Sequence, residues 1–459
     1  MTIQSVARGS APVAPLKLFA AVSLLALGLG ATPAKAVPAF AVQTGQPCQT
    51  CHVGGLGPQL TPFGREFKLR GYTTRAVAFN VPLSAMAVAS YVQTQKDQPA
   101  QPYFRPNDNF AIDQVNLFFA GGMGQHLGAF VQATYNGISR TYNWDNTDIR
   151  ATTTVDIKGN NVILGASLNN SPTVQDAWNT TPAWGFPYTT SSLGPTPGAA
   201  PLISGALAQK ALGLTAYAWI NSEFFVEAGG YGSPGATSLS HLGVDPTSPG
   251  SIQGLAPYGR VAFQKAIGPG TLEVGAFGMR ADLNPGLDRT TGFTDRYTDI
   301  GIDGSYQMTR TNTDVITANA RYIDEQQSLN ATCTLALAPV PATSDCTKVS
   351  MRDIRFDASY YWRNKIGATV AAFDTTGSAN AVVYGGNRTS KPDSTGLMFQ
   401  LDGTPWGDGS GPLGPRFNMR VGVQYFLYTR FNGAGSNYDG AGANASDNNT
   451  LRVFTWIAY

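Results

Sequence analysis

The sequence predicts an all-β protein in which about 16 antiparallel strands close into a transmembrane β-barrel, with a small N-terminal segment of loop and one short helix plugging one end. Three observations predict it. Apolar and polar residues alternate with a period of two in segments of about ten residues, the length of a tilted membrane strand. The connections between those segments are short and long by turns. The third observation is composition: of 459 residues 13% are charged, the formal net charge is +2, and glycine (52) and aromatics (11%) are abundant. So neutral a chain is a poor nucleic-acid partner. No long apolar run follows the N-terminal region, which excludes a bundle of membrane helices.

Taken in order, residues 1–36 read as a signal peptide. Arg8 and Lys17 precede an apolar core over 18–31, and Ala34-Lys35-Ala36 supplies a small-x-small cleavage pattern, so the mature chain is expected to begin near Val37. As a retained anchor, 18–31 would be too short to cross about 30 Å of hydrocarbon as a helix. Export leads to a compartment where disulfides persist. Cys333 and Cys346 flank a Pro/Ala/Thr-rich stretch and are expected to close it as a disulfide, two free thiols being the alternative.

Residues 37–78 carry Cys48-Gln49-Thr50-Cys51-His52, the CxxCH pattern that attaches a c-type haem through two thioethers, with the histidine as proximal iron ligand. Two intervening residues space the thiols like the two haem vinyl groups, and a histidine next to the second thioether is held under the iron. A disulfide, a redox CxxC and half a zinc site are the competing readings. Zinc lacks a second ligand pair, since His126 and His241 are isolated, and nothing marks the strand-to-helix junction of a thioredoxin-like motif. Glycines and prolines make the segment loop-rich. A helix is expected over 62–69, with Thr61 as N-cap and Pro62 in the first turn. Arg65, Lys68, Arg70 and Arg75 lie on or after it, either pairing with haem propionates or solvated. About 40 residues cannot enclose a haem alone, so another part of the chain has to cover it. For the sixth iron position the candidates are His126, in a turn expected on the side of the haem segment, and Met86 or Met123, with water or an open position as alternatives.

Residues 79–459 form the barrel. Period-two alternation is clear in 127–136, 299–306, 316–322, 353–363 and 418–427. A soluble sandwich would bury the apolar face; a membrane barrel turns it to lipid and turns the charged face to a lumen. The connections favour the barrel. Tight turns are expected near 122–126, 159–161, 221–223, 267–270, 309–313, 363–365 and 407–414. Long loops are expected near 98–109, 139–147, 171–210, 232–253, 284–294, 327–347, 378–393 and 432–449. That is the sidedness of an outer-membrane barrel, with short periplasmic turns and long outer loops. The chain ends in a strand closing on Tyr459.

Asp299, Asp303, Asp353, Arg355, Asp357, Arg363 and Arg420 are expected to face inward, lining a pore or forming a salt-bridged wall around the haem segment; their mixed signs favour the wall. Outer-loop aspartates 97, 108, 145, 148, 282, 288 and 295 offer hard ligands to a divalent cation, though solvated aspartates are commoner. No triad, phosphate loop or paired-carboxylate motif stands out.

A CxxCH segment followed by a 16-strand barrel resembles the fused outer-membrane cytochrome-porins, the monohaem family that includes outer-membrane iron oxidases. Pro38-Ala39-Phe40-Ala41, Gln43-Thr44-Gly45 before Cys48, Cys51 and His52, and the run 57–65 (Gly-Pro-Gln-Leu-Thr-Pro-Phe-Gly-Arg) carry the resemblance. It implies one covalent haem c at the periplasmic end of an outer-membrane barrel, and electrons passing from an extracellular donor to a periplasmic cytochrome or cupredoxin. Fe(II) is the donor for only some of these proteins, so an Fe(II) oxidase is one form of the function. The alternative is a porin for solute diffusion whose haem segment is structural or regulatory. A soluble periplasmic β-protein carrying haem is a third reading.

Overall fold

A computed structural model describes residues 38–78, 81–310, 313–337 and 344–459; the expected signal peptide lies outside them. The period-two alternation becomes a sheet of seventeen strands. In chain order they are β1 (Leu83–Thr94), β2 (Asn109–Met123), β3 (Leu127–Asn136), β4 (Thr141–Ile157), β5 (Asn160–Asn169), β6 (Leu212–Ile220), β7 (Phe224–Gly232), β8 (Ser251–Ile252), β9 (Ala256–Ile267) and β10 (Gly270–Asn284). There follow β11 (Asp295–Arg310), β12 (Asp314–Leu329), β13 (Lys348–Trp362), β14 (Ile366–Gly377), β15 (Ser394–Gly403), β16 (Asn418–Arg430) and β17 (Thr450–Ala458). β8 is a two-residue strip beside β10. The other sixteen form a closed antiparallel ring in which β7 pairs with β9 and β17 returns to β1, with Met86 opposite Ala458. Closure leaves no unpaired edge, the condition for a β-structure in hydrocarbon.

The alternation sorts the two faces as a membrane barrel requires. On β11, Ile300 and Ile302 point outward at 63% and 57% exposure, whereas Asp299 and Asp303 are buried inside. Outward Ile354, Phe356, Tyr360 and Trp362 alternate on β13 with inward Asp353 and Asp357. An apolar outer face around a polar interior is the reverse of a soluble sandwich.

The lumen is packed. Residues 38–78 enter at the short-turn end as three short helices, α1 (Pro38–Thr44), α2 (Cys48–Cys51) and α3 (Pro62–Leu69). Only α3 was expected; its N-cap is Thr61, whose Oγ1 accepts from Gly64 N at 3.2 Å. The connection 170–211, expected as an outer loop, folds inward, with 170–181 buried throughout. The inward charges explain this. Arg260 on β9 pairs with Asp303 at 2.8 Å, Glu273 at 3.1 Å and Asp176 of the connection at 3.5 Å. Backbone N–H groups of Leu202 and Ile203 donate to Glu325 and Asp299 at 2.6 and 2.8 Å. Arg452 on β17 joins Asp113 to the Thr189 carbonyl. With Arg321–Asp353, Arg355–Asp353 and Arg420–Asp402, this is the salt-bridged wall.

Three other expectations are corrected. The expected loop 139–147 is a tight connection followed by strand, because β4 begins at Thr141 and the Tyr142 ring packs, tilted, across the hairpin against Tyr135 with centroids 4.6 Å apart. The expected turn 407–414 belongs to a longer connection, 404–417, drawn out by its contacts with residues 49–55. Arg363 is not a lumen residue; it sits in the β13–β14 turn at φ 51°, with its guanidinium over the Trp362 ring. The Cys333–Cys346 disulfide is formed and ties the β12–β13 loop.

Candidate functional site

The site is built on the plug. α2 is one short turn, Cys48-Gln49-Thr50-Cys51, in which His52 N donates back to the Cys48 carbonyl at 2.9 Å. A tight approach then brings α3 onto it: Gly64 meets the Cys51 carbonyl so closely that a Cβ there would overlap the oxygen. Thr61 reinforces the contact, its N–H donating to the Cys51 carbonyl and its hydroxyl to the Thr50 carbonyl. Phe40, Phe67 and Tyr72 pack as a trio with centroids 5.0–5.8 Å apart, joining α1 to α3. Buried Gln43 donates to the Tyr72 and Thr74 carbonyls and accepts from Gly122 N, fastening the plug to β2.

The barrel clasps the other side. Asn364 of the β13–β14 turn accepts from Gly54 N at 2.6 Å and donates to the Gln49 and His52 carbonyls. Thr404 and Asn418 donate to the carbonyls of Gly54 and Gly55 at 2.5 and 2.6 Å. Arg420 Nη2 donates to the Gly54 carbonyl at 3.1 Å. Gly54 stands at φ +67°, with Arg420 and Tyr361 filling the space a side chain would need, so only glycine suits it. These wall residues have no motif of their own; the inward alternation flagged Arg420, and the turn pattern located Asn364 without its task.

Between plug, inward connection and wall lies a cavity of about 360 Å³, within the size range of ligand sites. Cys48, Cys51, His52 and Met86 all line it. Aromatic walls come from Phe67 of the plug, Phe118 and Phe130 of β2 and β3, Trp184 and Tyr188 of the inward connection, and Trp456 of β17. His126 does not reach the cavity: it lies exposed in the β2–β3 turn, its Nδ1 at 2.9 Å from the Thr152 carbonyl. Met123 is exposed at the end of β2. Met86 Sδ accepts from Trp456 Nε1 at 3.1 Å.

The chemistry of these groups suits a covalently held metal cofactor. Cys48 and Cys51 are free thiols, kept protonated by burial, which pushes Cys51 up to about 12 with help from neighbouring Cys48. The Nδ1 atom of His52 is buried and, among the described residues, has no hydrogen-bond partner. Desolvation lowers its pKa to about 4; a backbone contact with Gly57 opposes this and the Arg420 charge adds to it. A neutral imidazole with an unanswered nitrogen is a ready ligand. The donor set, the two thiols at CxxC spacing and the aromatic enclosure therefore fit haem c.

Of the basic residues of the plug, Arg75 is exposed, as the solvated course expects, and Arg65, Lys68 and Arg70 are engaged by protein groups. Arg65 reaches Gln307 of β11 and the Leu60 carbonyl, Arg70 pairs with Glu66 at 2.8 Å, and Arg75 donates to the Gly122 and Ala78 carbonyls. Lys68 lines the cavity while its Nζ donates to the Val174 and Asp176 carbonyls, each at 2.7 Å. Three of the aspartates considered for a cation lie in strands rather than outer loops and are occupied separately: Asp148 of β4 by Arg150, Asp282 of β10 by Arg296, and Asp295 of β11 by the N–H groups of Ala331 and Thr332. Among the described residues no group of three or more His, Cys, Asp or Glu gathers to hold a metal ion.

No protein-family model and no curated protein matches this chain. Solved structures similar to it include an anion-selective porin from Comamonas acidovorans, at 12% identity and TM-score 0.42, covering 82% of this chain and 99% of the porin. Another is OmpF of Salmonella typhi in complex with daunomycin, at 13% identity and TM-score 0.43, covering 82% and 97%. A third is the outer-membrane channel DcaP of Acinetobacter baumannii, at 10% identity and TM-score 0.44, covering 82% and 96%.

Proposed function

We propose that this chain is an outer-membrane cytochrome-porin that carries electrons from an extracellular donor to a periplasmic carrier through one haem c. The observation that carries the reading is the meeting of Cys48, Cys51 and His52 in a single aromatic-walled cavity inside a membrane barrel. Cys48 and Cys51 would tether the group, His52 would ligate its iron, and Met86 is the sixth-position candidate that shares the cavity. Bound there, haem c supplies a one-electron Fe(III)/Fe(II) couple. The barrel contributes what the short segment lacks. Trp456, Phe118 and Phe130 complete the enclosure, Asn364, Thr404 and Asn418 fix the turn 53–55 beside His52, and the packed lumen limits water. A barrel of this size has room for such a plug, and the insulating layer of about 30 Å gives a reason to place the redox centre within it.

Visible spectroscopy of the detergent-purified protein tests this. The reduced protein should show c-type bands that are lost in Cys48→Ala/Cys51→Ala, and Fe(II) added outside reconstituted vesicles should reduce the centre. Absence of the bands in wild type would sink the reading; bands without reduction by Fe(II) would remove Fe(II) as donor. Simple solute diffusion is disfavoured by the packing of 38–78 and 170–211 inside the lumen, and planar-bilayer conductance measures it directly.

A further inference from the structure

Two charged side chains line the cavity, Lys68 of α3 and Asp145 of β4. Asp145 accepts from Gln132, Thr134 and Gln209, so three donors answer its carboxyl group. Lys68 is held differently. It is buried, its Nζ lies 4.9 Å from the Trp184 ring centroid, and its two acceptors are neutral carbonyls rather than a carboxylate. The charged groups that face it belong to others. On β4, Arg150 and Asp148 are bound to each other at 2.8 Å. On the inward connection, Asp176 accepts from Trp178, Thr180 and Thr181 and lies beside Arg260. Glu227 of β7 is buried nearby, and Arg65 points away to Gln307. Lys68 is thus a buried amine on the wall of the proposed redox centre, with no contacting counter-ion among the described residues.

A charge change in the cavity acts on such a group with little screening. We propose that Lys68 makes this centre proton-linked: when one electron enters from a one-electron reductant, Lys68 Nζ takes up one proton from solvent, and it releases that proton on reoxidation. The electron lowers the positive charge in the cavity by one unit and so stabilises the ammonium form; the proton restores the balance. Burial, with the Arg150 charge beside it, lowers the amine pKa to about 7, which puts the exchange near neutral pH. The proposal rests on the haem reading above.

The test is a spectroelectrochemical titration of the full-length protein, reduced with dithionite, from about pH 5 to about pH 9. The midpoint potential should fall with rising pH around neutrality, approaching a tenfold change in the reduction constant per pH unit. Lys68→Gln and Lys68→Arg both keep donors for the Val174 and Asp176 carbonyls. Both should flatten the slope, with the arginine variant at the higher potential, and Asp145→Asn should retain it. A slope unchanged in both Lys68 variants would overturn the proposal, assigning the proton to the haem propionates or to Asp145. Proton uptake by wild type on reduction in weak buffer is a second measurement that needs no variant, and no uptake near neutral pH overturns the proposal. Missing c-type bands would instead remove the haem reading itself.

Discussion

Gly64 packs its bare Cα against the Cys51 carbonyl, and this contact sets the angle between the cysteine turn and α3. The backbone on both sides is committed, since Thr61 N–H donates to the same carbonyl at 2.9 Å. Gly64→Ala therefore forces the two helices apart, at a cost of about 1–3 kcal/mol for an overpacked site. Haem attachment, read as c-type absorbance per protein, should fall several-fold, while heat-modifiable gel mobility shows the barrel still folded. Normal absorbance in this variant would mean that the α2–α3 contact does not shape the site.

Asn364 is one of the barrel residues that hold the plug, and it makes the most contacts to the segment 49–54. It answers three backbone groups of 49–54, and Asn364→Ala leaves the buried Gly54 N–H without an acceptor. The loss is about 1–3 kcal/mol, concentrated on the plug rather than the barrel. Limited proteolysis should cut within 38–78 faster than in wild type, with the strands protected equally in both.

Why the sequence exposed some of this and hid the rest is visible in Asn364 and Thr404. Period-two alternation is a local property, so the strands, their faces and the sixteen-strand count were readable from short windows. The cysteine turn and His52 stood out as a candidate site because the haem attachment proposed for them requires a fixed spacing. The clasp was not. Thr404 meets Gly54 across 350 residues, and no local pattern encodes that pairing. The glycines and prolines of 404–417 also describe a tight turn as well as they describe a docked connection. The inward fold of 170–211 was hidden for the same reason: its composition is that of an outer loop, and only the buried charge of Arg260, which needs carboxylates around it, draws Asp176 into the lumen.

Lys68 also ties plug stability to pH. In a haem-free Cys48→Ala/Cys51→Ala protein its folded pKa stays near 7 because of burial, below about 10.4 for an exposed lysine. Between those values the unfolded chain holds the proton and the folded chain does not, so stability rises with pH across that window. Below about 7 both states are charged and the penalty of burying the ammonium is present in full. Protection of 38–78 from protease should therefore increase from neutral pH to about pH 9 and vary little in Lys68→Met.

The Cys333–Cys346 bridge should matter to its loop and little else. It closes a sequence separation of 13 residues, for which the chain-entropy model gives about 3 kcal/mol. The barrel pairing of β12 with β13 does not depend on it, since that ladder runs from Val315–Tyr361 to Ser328–Lys348. Cys333→Ser/Cys346→Ser should yield a folded barrel whose 330–347 loop is cut quickly by protease. Slow cutting, equal to that of the oxidised protein, would show that the loop is held by packing around Leu329 and Tyr384.

Arg260 decides whether the lumen stays closed. It is fully buried, and Asp303, Glu273 and Asp176 lean on its one positive charge. Arg260→Met preserves much of the volume and leaves those carboxylates facing one another, a loss of about 3–5 kcal/mol for a broken buried pair. Relief comes most easily from the member that is not part of a strand: Asp176 can leave with the connection 170–211, whereas Asp303 and Glu273 are fixed in β11 and β10. The expected result is a rise in planar-bilayer conductance together with new protease sites in 170–211, in a barrel of unchanged strand content. Conductance equal to that of wild type would show that the plug, clasped by Asn364, Thr404 and Asn418, closes the lumen without the inward connection.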